Sequence, residues 1–434
     1  MLTRPSFRPQ VGILATCAAL ASLPAAAQTA PKQEVRPPKA QAWIDVATFS
    51  GFGIPMGGSA MGGNPMDAAL GSLLGGGGAG TGGNEFGRTE AGMAGRWVDV
   101  TVYSRADPAL AEAEQAVPTG LLPSPLKLQA PKTVRGTAPD PDRDEPVERE
   151  VERPKGRLLM YWGCGAAVRA GQPKVLDMAS ASVADLGKFF VSRRATQRGA
   201  HAAPGRPVWP SLADRRLLPA SASLAGEHRI SGTSLPADWH FRIPAEQDLM
   251  PALELHQTAH DGGVDLQWRA PPAARAYFVA AMGAGAKEEM ILWTSSEQPD
   301  TGMGLVDYQT NTAIDRWLKE GVVLPPSQTR CSVPQGVFPG GENAGAMLRL
   351  IAYGSELNLA YPPRPADPRE PWVPDWAVKV RVKSVASAML GSDAPAEVPT
   401  AESPAPAKPD APQPDAPAPA LPDVKDLLKG LLGR

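Results

Sequence analysis

Cysteine is the residue type in this sequence with the widest choice of chemistry. Cys164 lies between two glycines in the segment YWGCG, where a thiol could be a nucleophile or half of a disulfide. A nucleophile at a sharp turn needs small residues two positions before and two after it, and Trp162 occupies the first of these positions. In a strand, Cys164 would share a face with Leu158, Met160 and Trp162, which would bury the thiol and make it inert. We therefore expect a disulfide with Cys331, rather than two buried thiols or a catalytic cysteine.

Histidine and methionine are the next candidates, because both bind metals. His256 and His260 would share one face of a helix, as zinc ligands do, but the flanking residues alternate like a strand, which would separate the two rings by about 13 Å. Met56, Met61 and Met66 recur every five residues in a glycine-rich segment. Thioethers of this kind could bind Cu(I), or could serve only as adaptable contact residues. We predict no zinc site, and copper handling by these methionines stays an alternative.

Cofactor and hydrolase motifs are the remaining chemistry. The glycine pair of GFGIPM has methionine where a phosphate-binding loop needs its third glycine, and no Walker A motif is present. Carboxylate pairs of glycosidases meet only in the fold, so their spacing carries no signal. We predict no cofactor, and we keep a secreted hydrolase with a non-local carboxylate or His/Asp site as the alternative function.

The first 27 residues have the pattern of a secretory signal peptide. Arg4 and Arg8 precede an apolar run over residues 11–23, and three alanines offer a cleavage site at 25–27. The rival interpretation, a lipoprotein with Cys17 acylated, would leave too short an apolar run. Cleavage leaves one cysteine pair, the simplest basis for a disulfide in the periplasm or after secretion.

The charge balance argues against one class of partner. The chain has 43 basic and 45 acidic residues, and loss of two arginines with the signal peptide leaves a net charge of about −4. Nucleic-acid binding requires a basic surface, so we predict no nucleic-acid partner.

Strands must position these residues. Residues 42–48 and 96–103, AWIDVAT and RWVDVTVY, alternate apolar and polar side chains in the same way, and we expect them to be neighbouring strands. The sequence HDGG at 260–263 predicts a hairpin turn. Residues 246–296 resemble a fibronectin type III or immunoglobulin-like module, with Trp268 between turn-rich flanks.

The predicted fold class is all-β, with two β-sandwich-like domains. A linker at 28–41 precedes the first domain, 42–245, which carries a flexible glycine-rich loop at 51–95 and a charged loop at 139–157. The second domain spans 246–385. A disordered linker rich in alanine and proline follows at 386–420.

Residues 421–434 predict a short amphipathic helix at the end of this linker. Its apolar face consists of Val424, Leu427, Leu428, Leu431 and Leu432. A helix of this length is unstable alone, so it should dock on an envelope protein, on a membrane surface or on the protein itself.

The segments YWGCG and GQPKVLD, with the later CSVP, resemble an uncharacterised family of secreted proteobacterial proteins. The resemblance implies secretion and no particular activity. The leading expectation is a non-enzymatic periplasmic or envelope protein with a binding or scaffolding role.

Overall fold

The computed structural model describes residues 33–51, 84–132, 156–190, 193, 198–286, 289–302, 304–339 and 346–392. The signal peptide, most of the loops at 51–95 and 139–157, and nearly all of the tail after residue 386 lie outside this range. The chain is mostly β-sheet with few helices, as the predicted fold class requires.

Within the described residues, fourteen strands form one large sheet. Thirteen follow the order β6-β5-β13-β12-β15-β17-β1-β2-β7-β4-β3-β8-β9, and β16 pairs with β17 off this path. The strands before residue 245 are β1 (Ala40–Gly51), β2 (Gly95–Ser104), β3 (Glu112–Ala116), β4 (Leu126–Gln129), β5 (Arg157–Trp162), β6 (Lys174–Asp177), β7 (Val208–Trp209), β8 (Gly226–Ser231) and β9 (His240–Ile243). The later ones are β12 (Ala276–Ala284), β13 (Glu289–Thr294), β15 (Met347–Tyr353), β16 (Leu357–Tyr361) and β17 (Trp376–Met389).

A second sheet has three strands in the order β10-β11-β14. They are β10 (Leu255–His260), β11 (Gly263–Trp268) and β14 (Arg330–Val333). The β10–β11 hairpin turns at Asp261 and Gly262, so the predicted turn is confirmed. Strands β12 and β13 of the stretch 246–296 belong to the large sheet instead.

The helices are short. They are α1 (Arg88–Ala91), α2 (Val183–Phe189) and α3 (Asn311–Glu320), with a 3₁₀ turn at Ala245–Gln247. Helix α3 begins where the Thr310 hydroxyl accepts a hydrogen bond from the Ala313 N–H at 3.2 Å, and it ends at Gly321, whose φ of 69° suits a residue without a Cβ.

The longest strands lie at the centre of the large sheet. Strand β1 pairs antiparallel with β2, as predicted, and parallel with β17. Alternation along β1 places Ile44 and Val46 on a face that packs toward the three-stranded sheet, while Ala47 and Phe49 pack toward α3. Both faces of the central strands are therefore buried.

The large sheet joins strands from both sides of residue 245. Strand β17 lies beside β1, and β13 lies parallel to β5. The predicted division into two sandwich-like domains is not confirmed.

Candidate functional site

Three central strands carry a row of charged side chains on the face toward α3. Asp45 of β1 lies opposite Asp99 of β2 and opposite Arg381 of β17. Their exposed fractions are 1%, 2% and 3%. We call these three residues the charged row. Burial of a charge is costly unless that charge is paired and hydrogen-bonded, so the partners of each residue decide its role.

Asp45 and Arg381 form a bidentate ion pair. Arg381 Nε donates to Asp45 Oδ1 at 2.6 Å, and Nη2 donates to Oδ2 at 2.5 Å. The guanidinium also donates to the carbonyl of Arg198 at 2.8 Å, and Ala200 N–H donates to Asp45 Oδ2 at 2.8 Å. Burial acts to lower the pKa of Arg381, but the Asp45 carboxylate raises it overall. Arg381 therefore stays charged, and its hydrogen bonds with Asp45 and the Arg198 carbonyl tie the loop around residue 200 to the sheet.

Asp99 holds the segment around α1. Its carboxylate accepts hydrogen bonds from Gly87 N–H at 3.0 Å, Thr89 N–H at 3.1 Å and the Thr89 hydroxyl at 2.5 Å. Burial raises the pKa of Asp99 to about 7, although these hydrogen bonds act to lower it. The carboxyl group should therefore exchange its proton near neutral pH.

Cations and aromatic rings alternate along β17. Lys379 Nζ lies 5.3 Å from the centre of the Trp43 ring, and Arg381 Cζ lies 5.5 Å from the same ring. Arg381 Cζ also lies 4.4 Å from the centre of the Tyr308 ring, and Lys383 Nζ lies 4.2 Å from the same centre. These separations fall within the range of cation–π attraction. The column stabilises three cations, of which Arg381 and Lys383 are buried and Lys379 is partly exposed.

Lys383 is the unusual member of this column. Its side chain is 3% exposed, and no described residue accepts a hydrogen bond from it or pairs with it as an ion. Burial lowers the pKa of Lys383, and the carboxylates of Asp307 and Glu90 act in the opposite direction. A neutral amine could act as a base or nucleophile. The Tyr308 ring lies directly against the Lys383 amine, so the amine faces protein groups in this structure.

A cavity of about 390 Å³ lies beside the β10–β11 hairpin, and we call it the hairpin pocket. His260 and Asp261, at the hairpin turn, contribute polar side chains to its lining. The apolar side chains among its walls are Ala259, Val264, Val333, Pro334, Phe338 and Leu390. Its volume falls in the range of small-molecule sites.

His260 also takes part in a polar triad near the pocket. His260 Nε2 lies 3.3 Å from Asp265 Oδ1, and the Ser332 hydroxyl donates to the same oxygen. In a serine hydrolase the histidine lies between serine and aspartate, where it can accept the serine proton. Here aspartate lies in the middle, and the Ser332 hydrogen bond and then His260 lower the pKa of Asp265, which makes it a poor base. The triad therefore joins the hairpin to β14.

The predicted disulfide is confirmed. Cys164 Sγ and Cys331 Sγ are 2.08 Å apart, and the bond links the chain after β5 to β14. Gly165 N–H donates to the carbonyl of Ser332 at 3.0 Å beside it. Because Val333 is a wall of the hairpin pocket, the disulfide holds that wall against the large sheet.

The other predicted site residues are less informative. His256 and His260 lie on β10, and the described part of the chain holds no cluster of metal-binding side chains. The three methionines at 56, 61 and 66 and the apolar face at 424–432 lie outside the described residues.

The charged row was not predicted. Its signal was the repeated tryptophan and aspartate in the otherwise apolar strands WIDV and WVDV, because an acidic residue at a buried position needs a partner.

No family model matches this chain, and no curated protein or solved structure is detectably similar to it. None of the described helices is long and apolar enough to cross a membrane. The disulfide is consistent with a non-cytoplasmic protein.

Proposed function

We propose that this protein is a non-enzymatic binding or scaffolding protein of the cell envelope, periplasmic or secreted after removal of its signal peptide. The observation that supports this function best is the hairpin pocket, a cavity of small-molecule size lined by both polar and apolar groups. We assign ligand binding to this pocket.

The framework of the pocket is held in place before any ligand arrives. Strand β14 is connected to β11 by a ladder that pairs Val264 with Val333, and the disulfide at Cys331 fastens the same strand to the large sheet. A site that is already ordered avoids much of the entropy cost of binding. The pocket therefore suits selective binding by shape.

The lining indicates the class of ligand. Phe338 and Leu390 offer apolar contacts, and the Asp261 carboxylate can accept hydrogen bonds or attract a cation. We expect a small apolar or aromatic molecule that carries an amine or another hydrogen-bond donor.

Benzylamine is a suitable probe of this proposal. Ala259 lines the pocket, so Ala259→Trp should fill it, whereas Thr258→Trp changes the neighbouring exposed residue of the same strand and is the matched control. We expect saturation-transfer NMR to detect benzylamine binding to the wild-type protein and to T258W, but not to A259W. Absence of binding to the wild-type protein, or equal binding to all three, would overturn the proposal.

Two alternative functions are tested by separate experiments. A hydrolase with a His/Asp site would use His260 and Asp265, and ester turnover abolished by His260→Gln would support it over a binding protein. Copper handling by the methionines at 56, 61 and 66 is tested by the copper content of protein purified from copper-supplemented cells.

The docking of residues 421–434 on an envelope protein or a membrane surface is also a proposal. Deletion of this segment should change envelope fractionation or the proteins recovered in a pull-down. An unchanged result in both measurements would remove the docking role.

A further inference from the structure

The hairpin pocket contains a negative charge without a partner. Asp261 supplies the one carboxylate among the described residues that line the pocket, and this lining includes neither lysine nor arginine. No described residue donates a hydrogen bond to this carboxylate or forms an ion pair with it, whereas the neighbouring His260 lies 3.3 Å from Asp265. An occupant of the pocket should therefore combine apolar groups with a positive charge.

The last described residues of the chain lie beside this pocket. Leu390 is one of its walls. Gly391 N–H donates to Gln257 Oε1 at 3.0 Å, and Gln257 Nε2 donates to the Ser392 carbonyl at 3.3 Å. Gln257 lies on β10, two residues before Ala259, which is another wall. The residues that follow Ser392 therefore start next to the pocket.

The sequence further along contains a segment with the required chemistry. Residues 424–432, VKDLLKGLL, contain two lysines and one aspartate. On a helix, Lys425 and Lys429 would lie on one side of the apolar face, with Asp423 on the other side and Asp426 opposite the face. The apolar face itself consists of Val424, Leu427, Leu428, Leu431 and Leu432. The segment thus offers leucine side chains and amines next to each other, which matches the lining of the pocket.

The length of the intervening chain permits this contact. Residues 393–423, which number 31, separate Ser392 from the segment. The entropy cost of closing such a loop rises only with the logarithm of its length. A tether of this kind also gives its end an effective concentration in the millimolar range near the point of attachment. The same molecule's segment therefore has an advantage over a second copy of the chain.

We propose that residues 424–432 occupy the hairpin pocket of the same molecule. Leucine side chains contact its apolar walls, Lys425 or Lys429 reaches the Asp261 carboxylate, and the segment competes with the small-molecule ligand. An α-helix is about 10 Å across, so a cavity of about 390 Å³ admits side chains of the segment and not the helix itself. The inference rests on the proposed function of the pocket. An envelope protein or membrane surface that binds the segment would free the pocket for its ligand.

Carbodiimide cross-linking tests the contact directly, because this reagent joins a carboxylate to a nearby lysine amine. We expect mass spectrometry of the cross-linked mature protein to find an amide between Asp261 and Lys425 or Lys429. Asp261→Asn and Ala259→Trp should each abolish this cross-link, whereas the control Thr258→Trp should keep it. A mixture of ¹⁵N-labelled and unlabelled protein distinguishes a contact within one molecule from a contact between two copies.

Benzylamine binding measures the competition. Leu428→Asp places a charge on the apolar face of the segment. It should strengthen benzylamine binding about tenfold if the effective concentration of the segment exceeds its own Kd about tenfold. Gly430→Asp introduces the same charge on the polar side of the predicted helix, and its benzylamine affinity should stay within about twofold of the wild-type value.

The outcomes separate this inference from the proposed function. A missing Asp261 cross-link, a cross-link formed only between two copies, or equal benzylamine affinities of L428D and the wild-type protein would contradict docking within one molecule. If benzylamine binds and A259W abolishes that binding, the ligand site stands even when the docking fails. If benzylamine binds to none of the variants, the proposed function fails, and the cross-link alone decides whether the segment lies in the pocket.

Discussion

The ion pair between Asp45 and Arg381 offers the sharpest test of the charged row. Arg381→Met keeps most of the volume of the side chain and removes all three of its hydrogen bonds, two to Asp45 and one to the Arg198 carbonyl. The Asp45 carboxylate, 1% exposed, would keep only its bond from Ala200 N–H. Loss of one partner of a buried pair costs about 3–5 kcal/mol, and we expect this decrease in the free energy of unfolding.

A double variant tests whether the loss of stability in R381M comes from the Asp45 carboxylate that stays buried without its partner. In the variant with both Asp45→Leu and Arg381→Met, no charge stays buried alone, so the double variant should be more stable than the sum of the two single losses predicts. The double-mutant cycle should give a coupling of about 1.5 kcal/mol or more. Arg269→Met is the control, because Arg269 is exposed and lies 3.6 Å from Glu254. An exposed pair of this kind contributes about 1 kcal/mol or less.

Urea denaturation followed by tryptophan fluorescence measures all four variants on the same scale. A loss of stability in R381M no larger than that in R269M would refute a strongly coupled buried pair. Simple additivity of the Asp45 and Arg381 substitutions would refute it as well, because the two side chains would then not depend on each other.

The remaining predictions concern the disulfide and Asp99. Replacement of Cys164 and Cys331 by serine opens a loop of 167 residues, and the chain-entropy model predicts that the free energy of unfolding falls by about 5 kcal/mol. Urea denaturation measures this change. A decrease below about 1 kcal/mol would contradict the model. The pKa of Asp99 is raised from 3.8 to about 7, so the folded state binds this proton more tightly, and stability should fall by about 4 kcal/mol as the pH rises from about 3 to about 8. Asp99→Asn should remove this part of the pH dependence, and parallel stability curves for the wild-type protein and the variant would exclude it.

Local sequence patterns correctly predicted the structural features that neighbouring or strongly alternating segments form. The hairpin turn at 260–263 follows from glycines that accept positive φ, and Gly262 has a φ of 81°. Residues 42–48 and 96–103 pair because matching alternation lets both strands bury the same faces. The disulfide followed from the count of cysteines, since cleavage of the predicted signal peptide leaves a single pair.

Other segments carry ambiguous local signals. Apolar residues at helical spacing over 175–194 are typical of one longer helix, but residues 174–177 are strand β6 and the helix covers only Val183–Phe189. A short apolar run pairs as a strand when a neighbouring edge is free, and β5 provides that edge. Helix α3 was not predicted, although Thr310 and Gly321 mark its two ends.

The sequence alone therefore determined the β-rich class, the disulfide pair and the turns, since each depends on residue type and short-range spacing. Only the tertiary structure decided which distant strands lie side by side. Asp45 and Arg381 are 336 positions apart and meet because β17 pairs with β1 in one register, and a shift of one residue would place Arg381 on the opposite face. The hairpin pocket arises in the same way, because its walls combine residues 259–264 with Val333, Phe338 and Leu390, which meet only after distant parts of the chain have folded together.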